Sequence, residues 1–238
     1  MSARNRLLAS VADLAEMEVA RLGGADIVDL KQPAFGALGA WGADALTAAV
    51  TLWSAWGETR PMLSATAGDQ PMVPAILREA ALGIARTGVP MVKVGIFDSP
   101  RAADCIDALA PLAATTRLVA VLFADQSPDF GLIALLGRCG FAGVMLDTAD
   151  KRLGRLTQHL DALTLSQFVG EARRHGLLTG VAGSLQVDDI APLAAIGADY
   201  LGFRGALCRG GRTGALDPAR LLEVRTRLAT TPEGEARD

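Results

Sequence analysis

The chain holds only three lysines, Lys31, Lys93 and Lys151, against 20 arginines. A nucleotide composition that favours arginine codons makes lysine rare everywhere, but it does not choose where the surviving amines sit. Lys31 closes Asp29-Leu30-Lys31, Lys93 stands inside the apolar run Val92-Lys93-Val94-Gly95, and Lys151 follows Met145-Leu146-Asp147 by one loop turn. An amine held among other cations in a partly buried pocket loses part of its preference for the charged form, through desolvation and like-charge repulsion. The neutral amine attacks an aldehyde to give a Schiff base, which acidifies the neighbouring carbon and permits carbon–carbon bond formation. A second amine, or a carboxylate such as Asp29 or Asp147, then moves the protons. One lysine suffices for a plain Schiff base, so three point to further proton steps or to a second anionic substrate.

Amines so far apart in sequence need a scaffold that gathers them. Short runs rich in Val, Ile, Leu and Ala alternate with longer helical patterns, the signature of repeated βα units around a buried parallel sheet. Eight such runs are legible: Arg6–Ala9, Ala25–Leu30, Pro61–Thr66, Met91–Gly95, Arg117–Phe123, Gly143–Asp147, Leu177–Ala182 and Tyr200–Phe203. Helical spacing predicts helices over Val11–Leu22, Val73–Arg86 and Arg101–Ala114, the last opened by Pro100 in its first turn. Gly23-Gly24-Ala25-Asp26 recurs loosely as Gly140-Phe141-Ala142-Gly143 and Gly197-Ala198-Asp199-Tyr200, each with a glycine that ends a helix ahead of a strand. Eight units close more naturally into a (β/α)8 barrel than into an open sheet, and 238 residues suit one such barrel. The structural alternative is an open doubly wound sheet; its dinucleotide-binding form is weakened because no G-x-G-x-x-G follows the first strand. Residues 1–229 are expected to form the barrel, with a structureless tail over residues 230–238.

A barrel of this class works at the carboxyl ends of its strands. Side chains alternate along a strand, so Asp29 and Lys31 share a face and both can point inward. Lys93 belongs inside too, since an outward charge in that run would press on a helix. A structural ion pair between Asp29 and Lys31, plugging the barrel, is the alternative to catalysis. The loops after strands seven and eight often hold phosphate through backbone N–H groups. Here they read Ala182-Gly183-Ser184 and Phe203-Arg204-Gly205-Ala206, continuing to Arg209-Gly210-Gly211-Arg212. Small residues let the backbone approach an anion, and Ser184 and Arg204 can add donors. Ser64 and Thr66 are expected to line the pocket, the alternative being that they cap the following turn. Asp69 either lines the pocket or caps that turn. Gly36-Ala37-Leu38-Gly39-Ala40 reads either as a flexible loop over the mouth or as a packed turn.

The remaining composition narrows the classes. Interspersed charges and a formal net charge of −3 give no basic field for nucleic acid. No apolar run approaches the roughly 20 residues of a membrane span, and the amino terminus carries no long hydrophobic stretch, so the expected location is the cytoplasm. Cys105, Cys139 and Cys208 are odd in number with no CxxC spacing, and the two histidines, His159 and His175, fall in or beside outer helices. A disulfide framework and a zinc site are therefore not expected, and both histidines are expected to be surface or hydrogen-bonded groups. The oligomeric state is open, a homo-oligomer being neither required nor excluded.

Several segments together resemble the (5-formylfuran-3-yl)methyl phosphate synthase family. They are residues 24–33 (GADIVDLKQP), 36–40 (GALGA), 64–69 (SATAGD), 93–95 (KVG), 145–148 (MLDT), 182–184 (AGS) and 204–211 (RGALCRGG), in order along nearly the whole chain. The resemblance implies a (β/α)8 fold and condensation of two glyceraldehyde 3-phosphate molecules, with loss of water and one phosphate, into a furan aldehyde phosphate used for methanofuran-type one-carbon carriers. It implies Lys31 as the Schiff-base lysine, Lys93 as the proton-accepting lysine, and Asp29, Asp147 and Lys151 as supporting pocket residues, with no metal or organic cofactor required. Gln32 departs from the Asn that the family often has, Ala37 from its Ser, and residues 70–75 (QPMVPA) from its usual Lys-Pro-Gly form. Nothing is carried over beyond Arg212. Two other readings use the same residues: a Schiff-base aldolase acting on another sugar phosphate, and a non-catalytic barrel that binds a phosphorylated ligand.

Overall fold

Each of the eight apolar runs forms a strand in a computed structural model of the chain, which describes residues 6–231. The strands are β1 (Arg6–Val11), β2 (Ile27–Leu30), β3 (Met62–Thr66), β4 (Met91–Ile96), β5 (Arg117–Phe123), β6 (Gly143–Asp147), β7 (Leu178–Val181) and β8 (Tyr200–Phe203). Neighbours pair in sequence order, all parallel, and β8 returns to β1 through Arg6↔Tyr200 and Leu8↔Gly202. The closed barrel rules out the open sheet. Around it run α1 (Leu14–Leu22), α2 (Ala43–Ala55), α3 (Pro74–Arg86), α4 (Ala102–Ala113), α5 (Leu132–Arg138), α6 (Leu156–His159), α7 (Ala162–Arg174), α8 (Ile190–Ala194) and α9 (Pro218–Thr230).

Most boundaries shift by a residue or two, and three of the shifts have a clear local reason. The helix expected from Val11 begins at Leu14, because Val11 finishes β1 opposite Leu30 and the Asp13 side chain caps the helix by accepting from the Glu16 N–H. Pro100 lies ahead of α4 rather than in its first turn. Thr230 is the last residue of α9, and residues 232–238 of the expected tail lie outside the described residues.

The recurring pre-strand phrase has a backbone cause. Gly24, Gly140 and Gly197 each take φ of +78° just past α1, α5 and α8, the left-handed turn that ends a helix and that glycine adopts without a Cβ penalty. The aspartate of the phrase also has a job. Asp26 accepts the Leu7 N–H at 2.8 Å and Asp199 the Thr179 N–H at 2.7 Å, so each pre-strand carboxylate holds the strand next to its own.

Apolar packing occupies two shells. Outward strand residues such as Leu7, Val28, Leu63, Val92 and Leu146 meet the helices, while Leu8, Ile27, Met91, Val119, Met145 and Tyr200 fill the lower barrel interior. Gly180 makes room for the Tyr200 ring there, since a Cβ on it would lie 2.3 Å from two ring carbons. Above this plug the inward positions turn polar. No helix of the described residues is long and apolar enough to cross a membrane.

Candidate active site

Strand register assembles the first half of the site. Asp29 on β2 stands opposite Ser10 on β1 and Ser64 on β3. Its carboxylate accepts from Ser64 Oγ at 2.7 Å, from Ser10 Oγ at 3.0 Å and from Lys93 Nζ at 2.9 Å. Both members of this ion pair are buried. Burial opposes the Asp29 charge, but the Lys93 and Lys31 cations and the hydrogen bonds outweigh it, so its pKa lies below the ordinary carboxylate value. Burial pulls the Lys93 pKa down, with Lys31 helping and Asp29 and Asp147 opposing.

The second half centres on Asp147, at the end of β6. Lys31 Nζ lies 3.4 Å from Asp147 Oδ2, and Lys151 Nζ donates to Asp147 Oδ1, to Thr148 O at 2.6 Å and to Thr148 Oγ1 at 3.1 Å. Burial works against the Asp147 carboxylate, yet Lys151, Lys31 and the Thr148 N–H hold its pKa well below the usual range. The loop carrying Lys151 is pinned by Asp125, whose two carboxylate oxygens accept the N–H groups of Ala149 and Asp150 at 2.7 and 2.8 Å. The pair weighed as a structural plug, Asp29 with Lys31, is thus re-partnered: Asp29 takes Lys93, and Lys31 shares Asp147 with Lys151.

The Lys151 amine is pushed down to about 8, first by burial and then by Lys31 and Arg212, against the pull of Asp147. An ordinary lysine titrates near 10.4, so at pH 8 about half of Lys151 is expected to be neutral. Carbamylation by cyanate, followed by peptide mass spectrometry across pH, should show Lys151 half-maximally reactive near 8. A midpoint near 10 would contradict this placement.

These groups open into a cavity of about 410 Å³ at the carboxyl ends of the strands, lined by Lys31, Lys93, Asp147, Lys151, Gly183, Ser184, Arg204 and Gly205, by Arg212, which the sequence placed only within the loop after strand eight, and by Ser10, Gln186 and Arg220, to which sequence reasoning assigned no role. Gly183 and Ser184 both take positive φ, +113° and +54°, and Ser184 is one of two non-glycine residues among those described that do. Consecutive turned peptides of this kind make a concave set of N–H groups that receives anions. Among the described residues the N–H groups of Ser184 and Gly205 have no protein acceptor.

Two expected contributors sit elsewhere, and a third is present without free donors. Ser64 and Thr66 do not line the cavity: Ser64 Oγ is committed to Asp29, and Thr66 Oγ1, level with Lys93 in the strand register, shares its proton between Gly39 O at 3.0 Å and Leu30 O at 3.3 Å beneath the 36–40 turn. Arg204 lines the cavity, but its donors are not free. Nε donates to Arg212 O, Nη1 to Ser10 O and Glu16 Oε2, and Nη2 to Glu16 Oε1 and Gly214 O. A guanidinium has five N–H groups, and these bonds use them all.

Loop expectations resolve as well. Asp69 neither lines the cavity nor caps its own turn; it accepts the Ala37 and Leu38 N–H groups, each at 2.8 Å, and so packs the 36–40 segment down. Leu38 is fully buried, so that segment is a packed turn. His175 Nε2 lies 3.0 Å from Glu171 Oε1, whereas His159 Nε2 is buried with no partner among the described residues, unlike the hydrogen-bonded or surface group expected. Burial pushes the Cys208 thiol up, so the one cysteine at the cavity wall is a poor thiolate nucleophile. Among the described residues no group of three or more His, Cys, Asp or Glu side chains is placed to hold a metal ion.

Solved structures share this architecture at low sequence identity. Phosphoribosyl anthranilate isomerase from Thermococcus kodakaraensis superposes with a TM-score of 0.66 over 95% of this chain and 99% of its own, at 12% identity. That likeness shows the fold. Sequence comparison goes further. Residues 7–225 match the family described as 4-HFC-P synthase. A relative from Methylorubrum extorquens is 39% identical over 236 residues, 99% of this chain and 96% of its own. The (5-formylfuran-3-yl)methyl phosphate synthase of Methanococcus aeolicus is 33% identical over 86% of this chain and 91% of its own. With the match running from β1 into α9, this chain is an enzyme that belongs to the 4-HFC-P synthase family.

Proposed function

We propose that the enzyme condenses two molecules of glyceraldehyde 3-phosphate, through a Schiff base on Lys31, into (5-formylfuran-3-yl)methyl phosphate. Atom balance requires one inorganic phosphate and two waters as the other products. The observation that carries this reading is the set of three amines, Lys31, Lys93 and Lys151, converging with Asp147 on one cavity, with Asp29 behind Lys93. One amine suffices for a plain Schiff base, so three favour a reaction with further proton steps.

Each residue has a task in this reaction. The Lys31 amine adds to the aldehyde carbon of one substrate, and loss of water gives the iminium. Lys93, whose affinity for a proton is weakened by burial, takes the proton from the carbon next to the iminium, leaving an enamine that attacks the second aldehyde. Asp147 stabilises the developing positive charge beside Lys31. Lys151, poised near neutrality, exchanges protons with the departing hydroxyl and phosphate groups. The turned Gly183-Ser184 backbone and the Gly205 N–H hold the phosphate that is retained.

The test is product analysis. Incubation with glyceraldehyde 3-phosphate alone should generate a furan-aldehyde absorbance in the near ultraviolet, with one inorganic phosphate released per furan. Carbon–carbon bond formation without phosphate release would assign an aldolase on the same site instead. No turnover, with phosphorylated ligands merely bound, would assign a non-catalytic barrel.

A further inference from the structure

The site holds more positive charge than one retained phosphate requires. Six cationic side chains line the cavity, Lys31, Lys93, Lys151, Arg204, Arg212 and Arg220. Among the described residues Asp147 is the one carboxylate that lines it, while Asp29 and Glu16 pair with Lys93 and Arg204 from behind. In a chain whose formal net charge is −3 this gathering of cations is local, and it suits an anionic ligand.

Donor accounting locates where that ligand goes. Arg204 has no N–H to offer, so it acts as a strut. With Glu16 as its counter-charge it holds the carbonyls of Arg212 and Gly214 at 2.8 and 2.7 Å, and Glu16 also accepts the Leu216 N–H at 3.0 Å. The turn so fixed carries Arg212 to the rim of the cavity. Arg212 is half-buried and makes a single hydrogen bond among the described residues, from Nη2 to Gly36 O at 2.9 Å. Four of its five donors are therefore uncommitted. Arg212 lines the same cavity as Asp147, Lys31 and Lys151, and its charge bears on Lys151.

We propose that Arg212 forms a second phosphate subsite, separate from the Gly183-Ser184 cradle, which binds the phosphate monoester that the reaction expels. The proposal rests on the two-phosphate reading of the reaction above. A planar guanidinium with free donors receives a phosphate dianion bidentately, whereas the three donors of Lys151 are held by Asp147 and Thr148. The Arg212 contact to Gly36 also bridges the loops after β2 and β8 across the mouth. Phosphate at this position sits between the retained end of the substrate and solvent.

The experiment is titration calorimetry with inorganic phosphate on the full chain and on Arg212→Gln and Arg212→Lys, beside steady-state kinetics with glyceraldehyde 3-phosphate. Wild type should show two binding sites. Arg212→Gln should weaken one by about tenfold to a hundredfold, the range of a charge-assisted hydrogen-bond set, and raise KM. Arg212→Lys should fall between them. Two unchanged sites in Arg212→Gln, or a single site in wild type, would overturn the subsite. The two readings fail separately. If wild type makes no furan yet Arg212→Gln loses a phosphate site, the reaction falls and the subsite stands; if furan forms and phosphate binding is unchanged in Arg212→Gln, the subsite alone falls.

Discussion

Lys31→Arg is expected to lose turnover by about a thousandfold or more, the scale on which removal of a covalent nucleophile acts, while the protein stays folded. Arginine keeps the positive charge beside Asp147 but is not deprotonated in proteins, so it cannot add to an aldehyde. The fold tolerates the change because Asp147 does not depend on Lys31: Lys151 still donates to its other oxygen, and the Thr148 N–H bonds to it at 2.8 Å. No buried charge is left alone. Steady-state furan formation gives the activity arm, and a thermal midpoint close to that of wild type gives the folding arm. Activity within tenfold of wild type would remove Lys31 from the covalent role.

Asp29→Ala is expected to act on stability as strongly as Lys31→Arg acts on activity. The Lys93 ammonium is 1% exposed and the carboxylate fully buried, so removing the acid strands a cation in the barrel and leaves the Ser10 and Ser64 hydroxyls without their acceptor. Breaking one side of such a pair costs about 3–5 kcal/mol. At roughly 2–4 °C per kcal/mol for a domain of this size, the thermal midpoint should fall by about 6–20 °C. Pairing Asp29→Ala with Lys93→Met should recover a large part of that loss, since an apolar side chain has no charge to strand. A double variant no more stable than Asp29→Ala would contradict the pairing. The pH dependence has a definite sign: with its pKa lowered in the fold, Asp29 contributes stability above the ordinary carboxylate value and loses it only as pH falls through the lowered one.

The barrel was legible because its signals are local. Eight β-branched and leucine-rich runs, and glycines such as Gly24 and Gly197 that must turn left-handed, report on the few residues around them. The amines were legible for a different reason: a lysine in the apolar run of β4 has nowhere to go but the barrel interior. What stayed hidden depends on register and on donor counts. Asp29 and Lys31 share a face, but which carboxylate each amine meets is set by β4 and β6, which the sequence places only approximately.

Arg204 shows the same limit. Its place after β8, beside glycine, reads as a phosphate donor until Glu16, remote in sequence, takes its guanidinium. Nothing local in the sequence marks Glu16 or Asp125 as a support, though one holds the turn that carries Arg212 and the other the loop that carries Lys151. Glu16 reaches the Ala12 N–H at 2.7 Å, and although the helix was expected from Val11, its spacing three residues after Asp13 was a capping signal readable from the sequence. Its reach to Arg204 was not. Ser64 and Thr66 had the right strand and the right parity, but Asp29 and the 36–40 turn take up their hydroxyls.

The central claim is that Lys31 is the amine that bonds to substrate. Borohydride reduction in the presence of glyceraldehyde 3-phosphate, followed by peptide mass spectrometry, measures this directly. The expected result is a reduced substrate adduct on the peptide containing Lys31, absent without substrate and absent in Lys31→Arg. An adduct on Lys93 or Lys151 in its place, or none on any lysine under turnover conditions, would contradict it.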